Sequence, residues 1–146
     1  DGPLRPKIQE LIIKMKLEDR VSLPGRLSDQ ELHALMAQCS VFCLPSIDRT
    51  EAFGLVLMEA MHYGRPIVST RVWGSGMQLV NEHGVTGFCV EPENDRDLAK
   101  ALEFLLAHPR EAQAMGEAGK KRVESMFHIA SQVRQFNALY TRLHAS

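Results

Sequence analysis

Three short apolar segments, separated by stretches with helical periodicity, constrain the fold of this chain more than any other feature. They are VFCLP at 41–45, PIVST at 66–70 and GFCVEP at 87–92. Continuous apolar runs of this length are typical of strands buried on both faces, and their alternation with helices predicts an α/β fold with a parallel sheet. A fourth segment, RVSLPG at 20–25, ends in a Pro-Gly turn signal and is also predicted to be a strand.

Apolar residues at helical spacing predict helices in the first half of the chain. One covers residues 4–16, and a second follows a capping box made by Ser28 and Glu31. A third is expected over residues 53–63, with Gly64 as the glycine that ends it.

The same periodicity predicts helices after the last strand. Pro109 is placed to open one of them, and residues 119–146 are predicted to form the terminal helices. The last helix carries an apolar stripe, which we expect to serve packing rather than to bind a partner, with part of it left exposed in this chain. The stripe consists of Ile129, Val133, Phe136, Tyr140 and Leu143.

Composition excludes several classes of protein. The chain has 146 residues, 45% of them hydrophobic, which is the size and content of one globular domain. A net charge of −1 without a basic block argues against nucleic-acid binding. The three cysteines and six histidines lack metal-ligand spacing, so we expect buried thiols and no metal site. No apolar run approaches the ~20 residues of a membrane span.

Two carboxylates flank the start of the third helix, after a strand's carboxyl end, where ligands bind in parallel sheets. The N–H groups of Gly54, Leu55 and Val56 would face outward there and form a seat for an anion. Glu59 lies about 7.5 Å further along the helix axis. Its neighbours are apolar, so it is predicted to be a buried acceptor for a pair of vicinal hydroxyls. With Glu51 on the other side, the order matches the sugar hydroxyls, diphosphate and ribose of a nucleotide sugar.

Each carboxylate also has a structural interpretation. Glu59 would then be a core carboxylate paired with a backbone amide or an arginine. Glu51 would be an acid at the helix start, stabilised by the helix dipole. In the loop after the strand predicted at 66–70, Trp73 either lines a ligand pocket or packs against the protein.

The stretch EAFGLVLMEAMHYGRPIVST at 51–70 resembles the Glu-x7-Glu motif of retaining glycosyltransferases with the two-Rossmann-domain (GT-B) architecture. This large family is typified by sucrose-phosphate and lipopolysaccharide-type hexosyltransferases. The segments DGPLRPKIQELIIKMKLEDRVSLPGRLSDQELHALMAQCSVFCLPS and NEHGVTGFCVEPEND are similar to other parts of its C-terminal, donor-binding domain. One departure is VWGSGMQLV at 72–80, where the family has Gly-Gly-x-x-Glu, so no sugar contact is assigned to that loop.

The resemblance implies a role for each matching position. Glu51 would contact hydroxyls of the donor sugar and orient it in the transition state, and Glu59 would bind the ribose hydroxyls. The backbone from Phe53 through Gly54 and Leu55 to Val56 would hold the diphosphate. The backbone of Leu44, Pro45 and Ser46 would lie beside the nucleobase. The donor would be a UDP-, GDP- or ADP-hexose, transferred with retention of configuration and without a metal.

The resemblance also implies that residues 1–146 are part of a C-terminal donor-binding domain, half of a GT-B fold. The first two strands of that domain and the amino-terminal acceptor domain would be absent. The Arg and Lys that neutralise the diphosphate in the family would be absent as well. In this sequence only Arg26, Arg49 and Arg71 lie near positions that could replace them. The strand at 41–45 would have a bare edge. We therefore expect this piece to dimerise by strand exchange, to rearrange, or to be part of a longer chain.

Two functions from different classes follow. One is the donor-binding half of a retaining hexosyltransferase (EC 2.4), inactive in isolation. The other is a non-catalytic module, for nucleotide-sugar binding or assembly, with a degenerate site. A non-hydrolysing sugar-nucleotide epimerase fits less well, because the Glu-x7-Glu order is that of the transferases. The expected location is the cytoplasm, or the cytoplasmic face of a membrane through the absent half.

Overall fold

The computed structural model of the chain describes residues 2–144. It divides into two compact units, Asp1–Leu35 and Met36–Ser146. Within the described residues the elements are seven α-helices, three strands and one π-helical turn. In chain order these are α1 (Arg5–Lys14), α2 (Asp29–Gln38), β1 (Phe42–Leu44), α3 (Leu55–His62), β2 (Ile67–Thr70), α4 (Met77–Val80), β3 (Gly87–Val90), α5 (Asp95–Ala107), α6 (Pro109–Arg122), the π-helical turn (Val123–Phe127) and α7 (Ile129–His144).

The first unit contains the predicted first helix but not the predicted first strand. Helix α1 confirms the periodicity of residues 4–16. Residues 21–25 have no strand, and the Val21 N–H donates to the Leu17 carbonyl oxygen at 2.9 Å in a turn. The strand prediction for RVSLPG was wrong because a short apolar run becomes a strand only where a neighbour satisfies its backbone groups.

The capping box at the start of α2 is confirmed. The N–H and the hydroxyl of Ser28 donate to Glu31 Oε2 at 2.8 and 2.7 Å, and the Glu31 N–H donates to Ser28 Oγ at 3.4 Å. The hydrogen bond from the Ser28 hydroxyl contributes most, and that from the Ser28 N–H contributes next, to holding the pKa of the Glu31 carboxyl below its ordinary value.

The second unit is built on the predicted parallel sheet. The strand order is β1-β2-β3, with Cys43 opposite Val68 and Val68 opposite Phe88. All four residues of β2 are buried, as expected for a central strand with helices on both faces. The α/β fold class, with a Rossmann-like parallel sheet flanked by helices, is confirmed.

Side chains alternate along β2, so each face of the sheet has its own core. Ile67 points into one core, formed with α3, α4 and Val72, whereas Val68 points into the other, formed with α5 and α6. The first core comprises Leu57, Ala60, Met61, Ile67, Val72, Met77 and Val80, and the second Val68, Ala101, Leu105 and Ala112. Strand β1 is only half-buried, in contrast to the prediction, because within the described residues it pairs with β2 alone.

A buried polar cluster holds the connection between β2 and β3. The Asn81 side-chain amide donates to Ser69 Oγ at 2.8 Å and to the Phe88 carbonyl oxygen at 3.0 Å. The Thr86 hydroxyl donates to Asn81 Oδ1 at 2.8 Å. All three buried polar side chains are hydrogen-bonded, so their burial leaves no polar group without a partner.

Helix α3 begins two residues later and ends one residue earlier than predicted, and Tyr63 is its C-cap. Gly64 has φ +67° and its N–H donates to the Met61 carbonyl oxygen at 2.8 Å, which confirms it as the helix stop. Two glycines of α6 let it approach α3 closely. A Cβ on Gly116 would lie 2.0 Å from the Gly64 carbonyl oxygen, and one on Gly119 would lie 3.0 Å from Met61 Cγ.

The terminal helices form as predicted from Pro109 onward, but a π-helical turn and an extended residue, His128, separate α6 from α7. Within the described residues the apolar stripe of α7 is exposed, so the expected exposure of part of it is met but the expected packing of the remainder is not. Its five side chains are between 49% and 72% exposed. Periodicity shows that a helix has an apolar face but not what covers that face.

We expect Ser28→Ala to raise the pKa of Glu31 toward the ordinary glutamate value. The pKa of Glu31 is lower in the folded chain than in the unfolded chain. The stability that the capping box contributes is therefore complete above the unfolded-state pKa and is lost as pH falls through the folded-state pKa. NMR titration of the Glu31 carboxyl would measure the shift. Ser22→Ala, at another exposed serine of the first unit, is the control. Equal Glu31 pKa values in both variants would contradict the capping box.

We expect Gly116→Ala to destabilise the fold by about 2 kcal/mol or more, although alanine is by propensity ~1 kcal/mol better than glycine inside a helix. The new methyl group would meet a backbone carbonyl that cannot move away. Urea unfolding would measure the effect. Gly119→Ala is the matched control, since its methyl group meets only the flexible Met61 side chain and should cost less. An equal or smaller loss in Gly116→Ala would contradict the close approach of α6 to α3.

Candidate functional site

Two loops meet at the carboxyl ends of β1 and β2. The loop at 45–54 joins β1 to α3, and the loop at 71–76 joins β2 to α4. The Ser75 hydroxyl donates to the Glu51 carbonyl oxygen at 2.7 Å, and the Gly76 N–H donates to the Ala52 carbonyl oxygen at 2.7 Å. Parallel strands bring their carboxyl ends to one rim, so these bonds join two loops into one surface.

Gly54 sits directly before α3 in a conformation that favours glycine. Its φ is +81°, and a Cβ there would lie 2.9 Å from Leu57 Cδ1 and 3.0 Å from Met77 Cγ. The N–H groups of Leu55 and Val56 are in the first turn, where the helix itself supplies no acceptor. The backbone thus presents donors at the positive end of the helix dipole, which is the arrangement that suits an anion.

Glu51 is half-buried beside this helix start, and its carboxylate has a structural contact. Glu51 Oε1 accepts a hydrogen bond from the Gly54 N–H at 2.7 Å. Within residues 2–144 the other carboxylate oxygen has no hydrogen-bond partner. Glu51 therefore caps the turn before α3 with one oxygen and leaves the other available to a ligand.

The prediction that Glu59 is buried was wrong. Helix α3 buries only the side that carries Leu57, Ala60 and Met61. Glu59 lies on the opposite side with Leu55, and both residues are exposed. In the described part of the chain, Glu59 has neither a hydrogen bond nor an ion pair, so the alternative of a paired core carboxylate is not met either. An apolar sequence around a residue does not bury it unless other elements cover every side of the helix.

The structure brings the other predicted residues to the same loop. Leu44 is half-buried against the first core, Pro45 is exposed, and the Ser46 carbonyl oxygen accepts a hydrogen bond from Thr70 Oγ1. The Phe53 ring contacts Phe127 edge to face at 6.0 Å between centroids, so its side chain is structural.

Sequence reasoning named Arg49 and Phe53 but did not predict that they contact the second loop. The Arg49 guanidinium lies against Gly74, where a Cβ would be 3.1 Å from Arg49 Cζ, and the Phe53 ring covers Gly76. The signal for this contact was the Gly-Ser-Gly spacing at 74–76, since small residues allow a ring and a guanidinium to approach the backbone. Arg71, at the same rim, forms an ion pair with Glu91 at 3.9 Å.

The cysteines do not provide a reactive group at this site. Burial raises the pKa of the Cys39, Cys43 and Cys89 thiols, so they are neutral at physiological pH and poor nucleophiles. Within residues 2–144, no three His, Cys, Asp or Glu side chains are grouped in a way that would hold a metal ion. In that same part of the chain, every helix is too short or too polar to cross a bilayer.

Solved glycosyltransferases contain the same arrangement of elements. The chain superposes on sucrose-phosphate synthase from Thermosynechococcus elongatus with a TM-score of 0.82 and 33% identity, covering 99% of this chain and 35% of the synthase. It superposes on HepE from Anabaena in complex with UDP with a TM-score of 0.82 and 25% identity, covering 94% of this chain and 36% of HepE.

Curated relatives are glycosyltransferases as well. The chain is 32% identical over 126 residues to D-rhamnosyltransferase WbpZ from Pseudomonas aeruginosa, covering 86% of this chain and 32% of the relative. It is 35% identical over 134 residues to the MMP alpha-(1->4)-mannosyltransferase of Mycolicibacterium hassiacum, covering 92% and 32% respectively. The chain thus spans about a third of the length of these relatives.

The family model of glycosyl transferases group 1 matches residues 1–122, which include both strands and both loops of the rim. With that match, the parallel sheet and the solved relatives, this chain belongs to the glycosyl transferases group 1 family.

Proposed function

We propose that this chain is the donor-binding half of a glycosyltransferase that transfers a hexose from a nucleotide sugar with retention of configuration. The observation that carries the proposal is the start of α3. There Gly54 has a left-handed conformation, and the first-turn N–H groups of Leu55 and Val56 would form a seat for an anion between Glu51 and Glu59. In this proposal residues 1–146 are part of a C-terminal donor domain, and a longer protein supplies the acceptor domain.

Each element of the proposed site has one task. The N–H groups of Leu55 and Val56 would hold the diphosphate, and Glu59 would accept hydrogen bonds from the ribose hydroxyls. Glu51, oriented by the Gly54 N–H, would direct its second oxygen to hydroxyls of the hexose. The leaving diphosphate would help to deprotonate the acceptor on the same face of the sugar, so this proposal needs neither a metal nor a cofactor.

Although Glu59 is exposed and not buried as predicted, its exposure also supports its proposed role as the ribose ligand. The carboxylate pays no desolvation penalty in the free protein, and within residues 2–144 it has no internal partner to exchange for a ribose. UDP is the first ligand to test, because a relative with 25% identity, HepE, forms a complex with it. GDP and ADP are the alternatives.

The proposed setting is the cytoplasm, and strand exchange through the exposed edge of β1 remains a proposal for the chain alone.

We expect Glu59→Gln to weaken nucleoside diphosphate binding by about 1.5 kcal/mol, roughly tenfold, because a charged acceptor of two hydrogen bonds is lost. Since Glu59 is exposed, the same change should alter the free energy of unfolding by less than about 0.5 kcal/mol. Isothermal titration of UDP, GDP and ADP would measure the first effect and urea unfolding the second.

The matched control is Glu103→Gln, which makes the same substitution at an exposed position inside helix α5. It should bind like the parent chain. If Glu59→Gln also binds like the parent, Glu59 does not hold the ribose.

A second candidate function is a non-catalytic nucleotide-sugar-binding or assembly module. The contact of Glu51 Oε1 with the Gly54 N–H favours it, because capping alone is a sufficient reason for an acid at this position. In that case Glu51 would stabilise the fold and contribute nothing to recognition of the sugar.

The variants Glu51→Gln and Glu51→Ala distinguish the two functions. Glutamine keeps an oxygen that accepts from Gly54, whereas alanine loses the cap and should cost about 1 kcal/mol of stability. If Glu51 contacts the hexose, both variants should lose affinity for a UDP-hexose relative to UDP, by roughly tenfold for alanine. Calorimetry with the two ligands gives this ratio. A parental ratio in both variants would support the non-catalytic module.

A further inference from the structure

Trp73 is the most exposed large hydrophobic side chain among residues 2–144. Its relative exposure is 87%, and it lies in the loop between β2 and α4. The interpretation that it packs against the protein is therefore not met. Burial of an aromatic side chain of this size is strongly favourable, and this position forgoes that stabilisation in the free chain.

The loop that carries Trp73 is held firmly although the indole is free. Ser75 and Gly76 donate hydrogen bonds to the backbone of Glu51 and Ala52, and the Ser75 N–H donates to the Val72 carbonyl oxygen at 3.2 Å. Arg49 and Phe53 of the other loop cover Gly74 and Gly76, on the C-terminal side of the tryptophan. The backbone of this loop is thus already ordered, so a ligand would have to fix only the side-chain rotamer of the indole.

The position of the anchors shows which part of a ligand the indole would meet. They attach the Trp73 loop to the backbone of Glu51, the residue proposed to contact the hexose, and not to the helical position of Glu59, proposed to contact the ribose. The loop that carries the exposed indole is therefore attached to the residue whose carboxylate caps the turn before α3.

This pairing of groups suits one class of ligand. The C–H groups on one face of a pyranose ring are slightly positive and stack on the electron-rich face of an indole, while the ring's hydroxyls reach outward to polar groups. The carboxylate of Glu51, the residue that anchors the Trp73 loop, supplies an acceptor for such hydroxyls. A nucleobase would also stack, but it has no use for an acceptor of paired hydroxyls.

We propose that Trp73 is the stacking surface for a pyranose ring at this site and contributes to the choice of sugar. The inference rests on the proposed function and extends it to a residue in VWGSGMQLV, the loop that departs from the family pattern. The pyranose is either the hexose of the donor or a sugar of the acceptor. Both have the same stacking chemistry, and the experiment separates them.

The chain contains a single tryptophan, so its intrinsic fluorescence reports on this position alone. The probes are UDP, GDP and ADP, the UDP-, GDP- and ADP-hexoses, and free methyl hexosides at high concentration. Excitation at the red edge of the indole band avoids absorption by the nucleobases. A hexose on the indole should change the emission and protect it from acrylamide, whereas a nucleoside diphosphate that binds by calorimetry should do neither.

The variants Trp73→Ala and Trp73→Phe test the same point without fluorescence. Alanine should weaken binding of the responding sugar ligand by about three- to tenfold, and phenylalanine should retain most of the affinity. Nucleoside diphosphate affinity should be unchanged in both variants. Circular dichroism is the folding control, and an exposed side chain should leave it unaltered.

The outcomes separate the inference from the proposed function. A response to nucleotide sugars assigns the stacked ring to the donor, and a response to methyl hexosides alone assigns it to the acceptor. Binding of sugar ligands without an indole response, with parental affinity in Trp73→Ala, overturns the inference and leaves the proposed function in place. If no nucleotide or nucleotide sugar binds, the proposed function is contradicted and the inference falls with it.

Discussion

The pairing of β2 with a parallel neighbour on each side is the constraint on which the rest of the second unit depends. Its residues alternate between two cores, so Ile67 and Val68 attach helices to opposite faces of one strand. The approach to β3 is so close that a Cβ on Gly87 would lie 1.8 Å from the Ile67 carbonyl oxygen. Once β1 and β3 lie parallel to β2, their following loops leave from one rim.

At that rim the candidate site is assembled mainly from backbone. The Glu51–Ala52 backbone accepts hydrogen bonds from the neighbouring loop, and Gly54 turns the chain into α3 so that its first N–H groups face outward. Backbone donors held in this way need little reorganisation when an anion arrives. The same hydrogen bond that caps the turn also orients the Glu51 carboxylate, so a structural and a binding role are compatible in one residue.

Some local features were predictable because their causes lie within a few residues. Ser28 and Glu31 form their capping box from a spacing of three, and Gly64 ends α3 because it adopts a positive φ without strain. Other predictions failed because their causes are not local. RVSLPG has strand composition but is not a strand, and Glu59 has apolar neighbours in sequence but lies on the open side of its helix.

The candidate site shows the same division between local features that were predicted and distant contacts that were not. The residues of the β1–α3 loop were identified from spacing and family resemblance, because a glycine before a helix and flanking carboxylates are visible in one stretch. The partner loop was not identified, since the contacts of Arg49 with Gly74 and of Phe53 with Gly76 join positions more than a helix apart in sequence. The 87% exposure of Trp73 likewise depends on how the two loops meet.

The sequence by itself determined most helices, the three paired strands, the parallel α/β class and a helix start at which a glycine lies between two acids. These follow from periodicity, capping and the left-handed preference of glycine, which act over a few bonds. The tertiary structure alone decided which faces are covered, and so left Glu59 and Trp73 open to solvent. The physical reason is that burial depends on which elements pack against a residue, and packing partners are distant along the chain.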